Sequence, residues 1–179
     1  MVIGKTTTML STYEVGDYLQ DVTGPLGQPT EMGDGTWAVI GGGVGLAIAF
    51  PVARQLAATG HEVHAIMGAR TKDLLLLEDQ FREIFPEDHI HITTDDGSYG
   101  EKGVVTAPLE RLLQDKAVDH VFCVGPVPMM KFAALTAEKY DTPVIASLNP
   151  IMVDGTGMCG CCRVEIDGET KFACVDGPD

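Results

Sequence analysis

The stretch Trp37-Ala38-Val39-Ile40-Gly41-Gly42-Gly43-Val44-Gly45 decides the fold. Four apolar residues in a row, two of them β-branched, read as a strand buried on both faces, as in a parallel sheet. Five residues, four of them glycine, then turn the chain. The apolar run that follows reads as a helix to about Thr59, stopped by Gly60. With regular helix starting near Ile48, Pro51 falls in the first turn, where its missing N–H costs little.

The alternation continues outward from this unit. His61–Met67 reads as a second strand, Leu74–Ile84 as a helix, and Ile90–Thr93 as a third strand ended by Asp95-Asp96-Gly97. Thr106 is placed to cap a helix running to Gln114, with Pro108 in its first turn. Asp119–Val124 is a fourth strand, closed by Gly125-Pro126. Pro128–Tyr140 is helical and Pro143–Leu148 is a fifth strand. Strands alternating with helices imply right-handed βαβ crossovers, hence an α/β domain with a five-stranded parallel sheet over residues 34–148.

Residues 1–33 read differently, as loop and short strand, with glycine and proline too frequent for long elements and too few apolar residues for a core. Residues 149–179 also leave the pattern: glycines and cysteines dominate to Cys162. Two short runs then flank Asp167-Gly168, a two-residue hairpin signal.

A glycine turn at the end of the first strand of an open α/β sheet lets backbone approach a pyrophosphate, which the following helix N-terminus favours. Gly41, Gly42, Gly43, Val44 and Gly45 are therefore candidates to cradle a nucleotide. The stretch departs from G-x-G-x-x-G, since Leu46 stands where the third glycine would be, and the glycines can also be purely steric. The second strand ends in Gly68-Ala69-Arg70 without the carboxylate that bonds a ribose 2′-hydroxyl. Arg70 could instead meet a 2′-phosphate or be a surface arginine, so NAD and NADP both stay open.

Four of the five cysteines fall in the last 21 residues, spaced Asp154-x4-Cys159-x2-Cys162-x11-Cys174, with Cys161 outside that spacing. Clustered cysteines without a secretory signal point to metal or redox chemistry. Three thiolates leave a [2Fe–2S] cluster one ligand short, and Asp154 stands where it could complete the set. Structural zinc and free thiols are the competing readings. The net charge of −14, from 26 acidic against 12 basic residues, speaks against a nucleic-acid or anionic-membrane partner. No stretch has the length and continuity of a membrane span, and no signal peptide is visible, so a cytoplasmic location is expected.

The tail, together with Gly4-Lys5-Thr6-Thr7, Gly24-Pro25-Leu26-Gly27, Gly41–Ala47, Thr94–Ser98 and Gly125-Pro126-Val127-Pro128-Met129-Met130, resembles the electron-transfer subunits of the ferredoxin reductase superfamily. An Asp plus three Cys is similar to the small subunits of NADH-dependent ferredoxin:NADP oxidoreductase and of sulfide dehydrogenase. Dihydroorotate dehydrogenase electron-transfer subunits have four cysteines. The resemblance implies an FAD-binding barrel, of which residues 1–33 are the remnant, then the NAD(P)-binding domain at 34–148 and a [2Fe–2S] tail at 149–179. The rest of the barrel is missing before Gly4, so the chain reads as a fragment, inactive in isolation without its FAD domain.

By the same resemblance, Gly4, Lys5, Thr6 and Thr7 touch the flavin pyrophosphate, and Thr94, Asp95 and Ser98 line the ribose side of the nucleotide. Gly125, Pro126 and Met129 border the nicotinamide, with Cys123 nearby; helix packing is the alternative for Met129. Asp154, Cys159, Cys162 and Cys174 hold the cluster. The implied partners are a larger flavoprotein or iron–sulfur subunit and ferredoxin. The implied function is electron transfer between NAD(P)H, FAD and the cluster, the alternatives being the dihydroorotate dehydrogenase or hydrogenase branch and a nucleotide-binding redox sensor.

Overall fold

The structure, a computed structural model, describes residue 2 and residues 4–179. Its centre is a parallel sheet of β1 (Trp37–Gly42), β2 (Val63–Ala69), β3 (Ile90–Thr94), β4 (Glu101–Lys102), β5 (His120–Val124) and β6 (Val144–Ala146), in the order β4-β3-β2-β1-β5-β6. The chain builds outward from β1 through β2 and β3, then crosses back to place β5 on the other side of β1. Strand order therefore reverses between β1 and β5.

Alternation along the strands divides the core in two. Trp37, Val39, Ala65, Met67, Phe122 and Val124 pack with Leu46, Ala49, Ala53 and Leu56 of α2 (Leu46–Ala58) and Phe81 of α3 (Glu78–Ile84). Ala38, Ile40, Ile66, Val121 and Cys123 face the other way. They meet Leu109, Leu112 and Leu113 of α4 (Thr106–Gln114), and Met130, Ala133 and Ala137 of α5 (Val127–Glu138). A sheet buried on both faces has no polar side, which is why β1 and β2 are apolar or small nearly throughout.

Several local expectations change. The sheet has a sixth strand: β4 is two charged edge residues, too short and too polar to carry a strand signal. Helix α2 begins at Leu46, not Ile48, continuing a 3-10 turn at Gly43–Gly45, so Pro51 lies inside the helix. The helix expected from Leu74 starts only at Glu78. Leu75 and Leu77 pack on the core while Leu74 and Leu76 are exposed, an alternation of two that a helix cannot make. Thr106 does not cap α4; Val105 holds that position, because the turn closes earlier through Ala107 N–H to Val104 O.

The N-terminal segment contains a short exposed helix, α1 (Gly4–Leu10), where loop and strand were expected. No glycine or proline interrupts Lys5–Leu10, and the Thr7 and Thr8 hydroxyls donate back to Gly4 O. Residues 11–36 form no regular element. Their end is strapped to the C-terminus. Gln28 N–H donates to Gly177 O at 2.8 Å, and Thr30 Oγ1 donates to the Asp179 carboxylate. No helix among the described residues is long and apolar enough to cross a membrane.

Phe122 of β5, fully buried on the α2 side of the sheet, is the expected weak point. Phe122→Ala should cost about 3–5 kcal/mol in urea unfolding. Phe132→Ala, on the exposed side of α5, should change stability by less than about 0.5 kcal/mol.

Candidate functional site

The carboxyl ends of β1 and β5 meet where the strand order reverses, the place at which open α/β sheets bind ligands. Two turns line it, Gly41–Gly45 after β1 and Gly125-Pro126 after β5. They touch. A Cβ on Gly45 would stand 2.4 Å from Val124 O, and one on Gly42 would stand 2.3 Å from Met129 Sδ and 3.1 Å from Pro126 Cδ. A Cβ on Gly41 would run into Leu46 at 2.6 Å. Steric need therefore accounts for Gly41, Gly42 and Gly45, whereas Gly43 has open space around it and a φ of +55°. Gly43, with the exposed Val44, is the part of the turn a ligand can approach.

Gly125 and Pro126 form the facing lip, with Pro126 at the N-terminal boundary of α5 and φ of +156° at Gly125. Met129 is half-buried and packs against Gly42 and Gly125, so it closes the gap between the two turns. Cys123 departs from its expected place: it is fully enclosed in the α4–α5 side of the core, and burial pushes its thiol up to about 12. Its side chain does not reach the crevice.

The adjacent lip is built from the ends of β2 and β3. Arg70 is exposed there. Thr94 is buried, and its hydroxyl donates to Tyr99 O at 2.6 Å and accepts from Tyr99 N–H, so it pins the loop from 94 to 99. Asp95 and Ser98 are exposed on that loop, with Ser98 Oγ accepting from Lys72 N–H at 2.9 Å. Lys72 lies over the Tyr99 ring, and the Tyr99 hydroxyl donates to Glu78 at 2.6 Å. The loop is thus held to the start of α3, with Asp95 and Ser98 directed to solvent at the sheet's ligand edge. Gly4, Lys5, Thr6 and Thr7 lie on α1, which buries no residue.

The tail makes a second site. Its hairpin, β7 (Arg163–Ile166) and β8 (Glu169–Phe172), turns at Asp167 and Gly168, both at positive φ, the two-residue type the sequence indicated. The hairpin returns the chain so that Cys162 and Cys174, on either side of it, come together. The Cys162 thiol donates to Cys174 Sγ at 3.2 Å, both are buried, and the contact raises Cys174 above the ordinary thiol range. Asp154 accepts from Thr156 N–H at 2.7 Å and Cys159 N–H at 2.9 Å, which holds its carboxyl below the usual carboxylate range. Cys159 is exposed beside it. Cys161 is not remote: it hydrogen-bonds to Cys159, which raises its thiol. Cys162 and Cys174 thus meet across the hairpin, while Asp154, Cys159 and Cys161 lie on the loop that precedes it; thiols and a carboxylate are donors suited to iron–sulfur chemistry.

Comparison with known proteins agrees with both halves. Residues 39–134 match the oxidoreductase NAD-binding domain, and residues 149–179 match the iron–sulfur cluster binding domain of dihydroorotate dehydrogenase B. A homolog of the dihydroorotate dehydrogenase B (NAD(+)) electron transfer subunit from Thermotoga maritima is 49% identical over 99% of this chain and 62% of its own length. The Geobacillus thermodenitrificans electron transfer subunit is 37% identical over 98% of this chain and 68% of its own. Among solved structures, a chain of a NADH-dependent reduced ferredoxin-NADP oxidoreductase superposes with a TM-score of 0.85 at 48% identity. That match covers 99% of this chain and 63% of that one. The chain spans less than two thirds of the length of the first curated relatives it matches.

The two classes of glycine in the crevice separate experimentally. Gly45→Ala forces a Cβ onto the Val124 carbonyl and should destabilise by about 1–3 kcal/mol in denaturant titrations. Gly43→Ala meets no atom and should cost only the left-handed strain, about 1 kcal/mol. Its larger effect should be on nicotinamide-nucleotide affinity, read by calorimetry.

Proposed function

The chain belongs to the family of dihydroorotate dehydrogenase B-type electron-transfer subunits and their homologs, oxidoreductase subunits with an NAD-binding and an iron–sulfur-binding domain. On that premise we propose that it relays electrons between a nicotinamide nucleotide at the β1–β5 crevice and a [2Fe–2S] cluster on the C-terminal loop. The ligands we assign to the cluster are Asp154, Cys159, Cys162 and Cys174. The observation that carries this reading is the meeting of Cys162 and Cys174 across the hairpin, with Asp154 on the preceding loop oriented by two backbone amides.

The chain's residues have positioning roles in this scheme. Gly43 and Val44, backed by the sterically required Gly41, Gly42 and Gly45, admit the pyrophosphate to the N-terminal end of α2. Asp95 and Ser98 receive the ribose side. Gly125, Pro126 and Met129 form the wall at the nicotinamide end. The buried Cys162 and Cys174 exclude water from one side of the cluster, while Asp154 adds a hard, anionic donor. When bound, a flavin divides the hydride's two electrons into the single-electron steps that an iron–sulfur cluster accepts.

We assign FAD to a barrel domain outside this chain, with Gly4, Lys5, Thr6 and Thr7 at its pyrophosphate. A run of exposed apolar residues in the N-terminal segment, including Val15, Tyr18, Leu19 and Val22, fits a surface covered by such a domain. The division of the chain at 33/34 and 148/149 into barrel remnant, nucleotide domain and cluster tail belongs to the same proposal. So do a larger flavoprotein partner, ferredoxin as donor or acceptor, a cytoplasmic setting, and the inactivity of this piece without its flavin domain.

Anaerobic reconstitution tests the relay. Two irons per chain with a paramagnetic signal on reduction are expected; stoichiometric zinc with no iron would sink the cluster. Asp154→Cys should keep the cluster but shift its potential, because ligand type tunes it: a soft thiolate replaces a hard carboxylate. Cys161→Ser should leave the iron content unchanged, and a loss would move Cys161 into the ligand set.

The 2′-position is tested at Arg70. If its guanidinium reads a 2′-phosphate, Arg70→Ala should weaken NADP(H) by roughly 1.5–3 kcal/mol. NAD(H) should be unaffected, and equal losses would place Arg70 on a phosphate common to both.

A further inference from the structure

The end of the sheet opposite the nucleotide crevice carries a histidine cluster that electron transfer does not use. Glu62 immediately precedes β2 and His64 is its second residue. His89 closes a 3-10 turn (Glu87–His89) that leads into β3, where His91 follows. Since β2 and β3 are parallel neighbours, their first residues and the turns feeding them lie together. The nucleotide edge is a strand length away, about 20 Å for seven residues.

The His64 and His89 rings stack, with centroids 4.3 Å apart and planes inclined by 29°. Glu62 Oε1 lies 3.8 Å from His64 Nε2 and 3.6 Å from His89 Nε2. One oxygen and two imidazoles thus offer donor atoms that are all within 4.8 Å of one another.

In each ring the other nitrogen is already committed. His89 Nδ1 is 3.2 Å from Val63 O. A carbonyl only accepts, so Nδ1 carries the hydrogen, and Nε2 of the neutral ring presents a lone pair to Glu62. His64 Nδ1 is 3.3 Å from His91 Nε2. A hydrogen donated across that contact from His64 leaves its Nε2 as a second lone pair facing the same point. Glu62 Oε1 and the two Nε2 atoms thus face one point, where a single cation can be held by all three.

We propose that Glu62, His64 and His89 bind a zinc-class divalent metal ion through Oε1, Nε2 and Nε2. Val63 O and His91 are the outer hydrogen-bond partners that orient the two imidazoles. Zinc takes such nitrogen and oxygen donors at about 2.0–2.2 Å in a tetrahedron, which puts neighbouring donors about 3.3 Å apart. The two carboxylate–imidazole separations, 3.8 and 3.6 Å, need contract by only about half an ångström. Calcium and magnesium prefer all-oxygen sets and are disfavoured. The His64 and His89 side chains are only 11% and 21% exposed, so their rings are held in place. Glu62, at 58%, leaves an open side for water as fourth ligand. The ion would clasp the start of β2 to the turn before β3.

The test uses the full chain, with Zn2+ followed by calorimetry and Co2+ by absorption. Cobalt in this site should give visible d–d bands without the near-ultraviolet sulfur charge-transfer band that marks the cysteine loop. Glu62→Gln and His89→Gln should each weaken that sulfur-free site at least tenfold and abolish the zinc-dependent rise in Tm. His120→Gln, whose ring stacks on Trp37 instead, should bind as the parent. Glu62 is exposed, so its variant reports even if His89→Gln fails to fold. The proposal is overturned if the parent shows no sulfur-free site at micromolar metal, or if both variants bind like the parent. It is equally overturned if His89 proves to be an imidazolium paired with Glu62 that zinc does not displace.

Discussion

Everything at the ligand edge depends on how closely the backbones of β1 and β5 approach as they turn. Gly45 lies against the Val124 carbonyl and Gly42 against Gly125 and Met129, at distances that leave no room for a Cβ. That contact sets where α2 begins, because the 3-10 turn Gly43–Gly45 feeds it directly. It also aims α5, whose start at Pro126 packs on Gly42. The glycines of the turn thus act first as spacers between two strands and only second as a surface for a phosphate. Leu46 can stand where a third glycine of the usual fingerprint would be because its side chain is core, fully buried beneath Gly41.

The C-terminal loop solves a different problem, that of gathering donors from a segment with almost no core of its own. Cys162, Ala173, Cys174 and Phe172 form its small apolar cluster. The hairpin supplies the geometry, since an antiparallel pair with a two-residue turn returns the chain beside its starting point. Cys162 and Cys174 are therefore neighbours for the same reason that Arg163 pairs with Phe172. Asp154, which we assign to the cluster, has its carboxylate oriented by two local amides.

Five of the six sheet strands and the hairpin were legible because their signals are local: an apolar run bounded by glycine, or Asp-Gly between two short strands. What escaped was decided by tertiary contact. Leu74 to Leu77 have high helix propensity, yet alternate between core and solvent. Glu101 and Lys102 pair with Thr93 and Thr94 although nothing in two charged residues signals a strand. In the sites, the cysteine spacing and the glycine turn could be read directly, but which glycines are steric could not. Cys123 was expected near the nicotinamide only through the family resemblance; the face it points to is set by period-two alternation, and that face is core. The histidines were overlooked for a related reason. His64 and His91 each occupy an ordinary strand position, and only the parallel pairing of β2 with β3 brings them together.

The two ends of the chain are tied to each other, and this bears on how the proposed relay holds its parts. Gln28 and Thr30 bond to Gly177 and Asp179, and Leu26 lies where a Cβ on Gly155 of the cysteine loop would fall. Leu148, just past β6, donates to Pro178 O at 3.0 Å. The segment assigned to a flavin barrel, the cysteine loop and the edge of the nucleotide sheet are thus fastened at one place. Electron transfer requires fixed separations between cofactors. Rigid fastening of the elements that would hold flavin, nucleotide and cluster is therefore the contribution such a subunit has to make, with the cofactors supplying the chemistry.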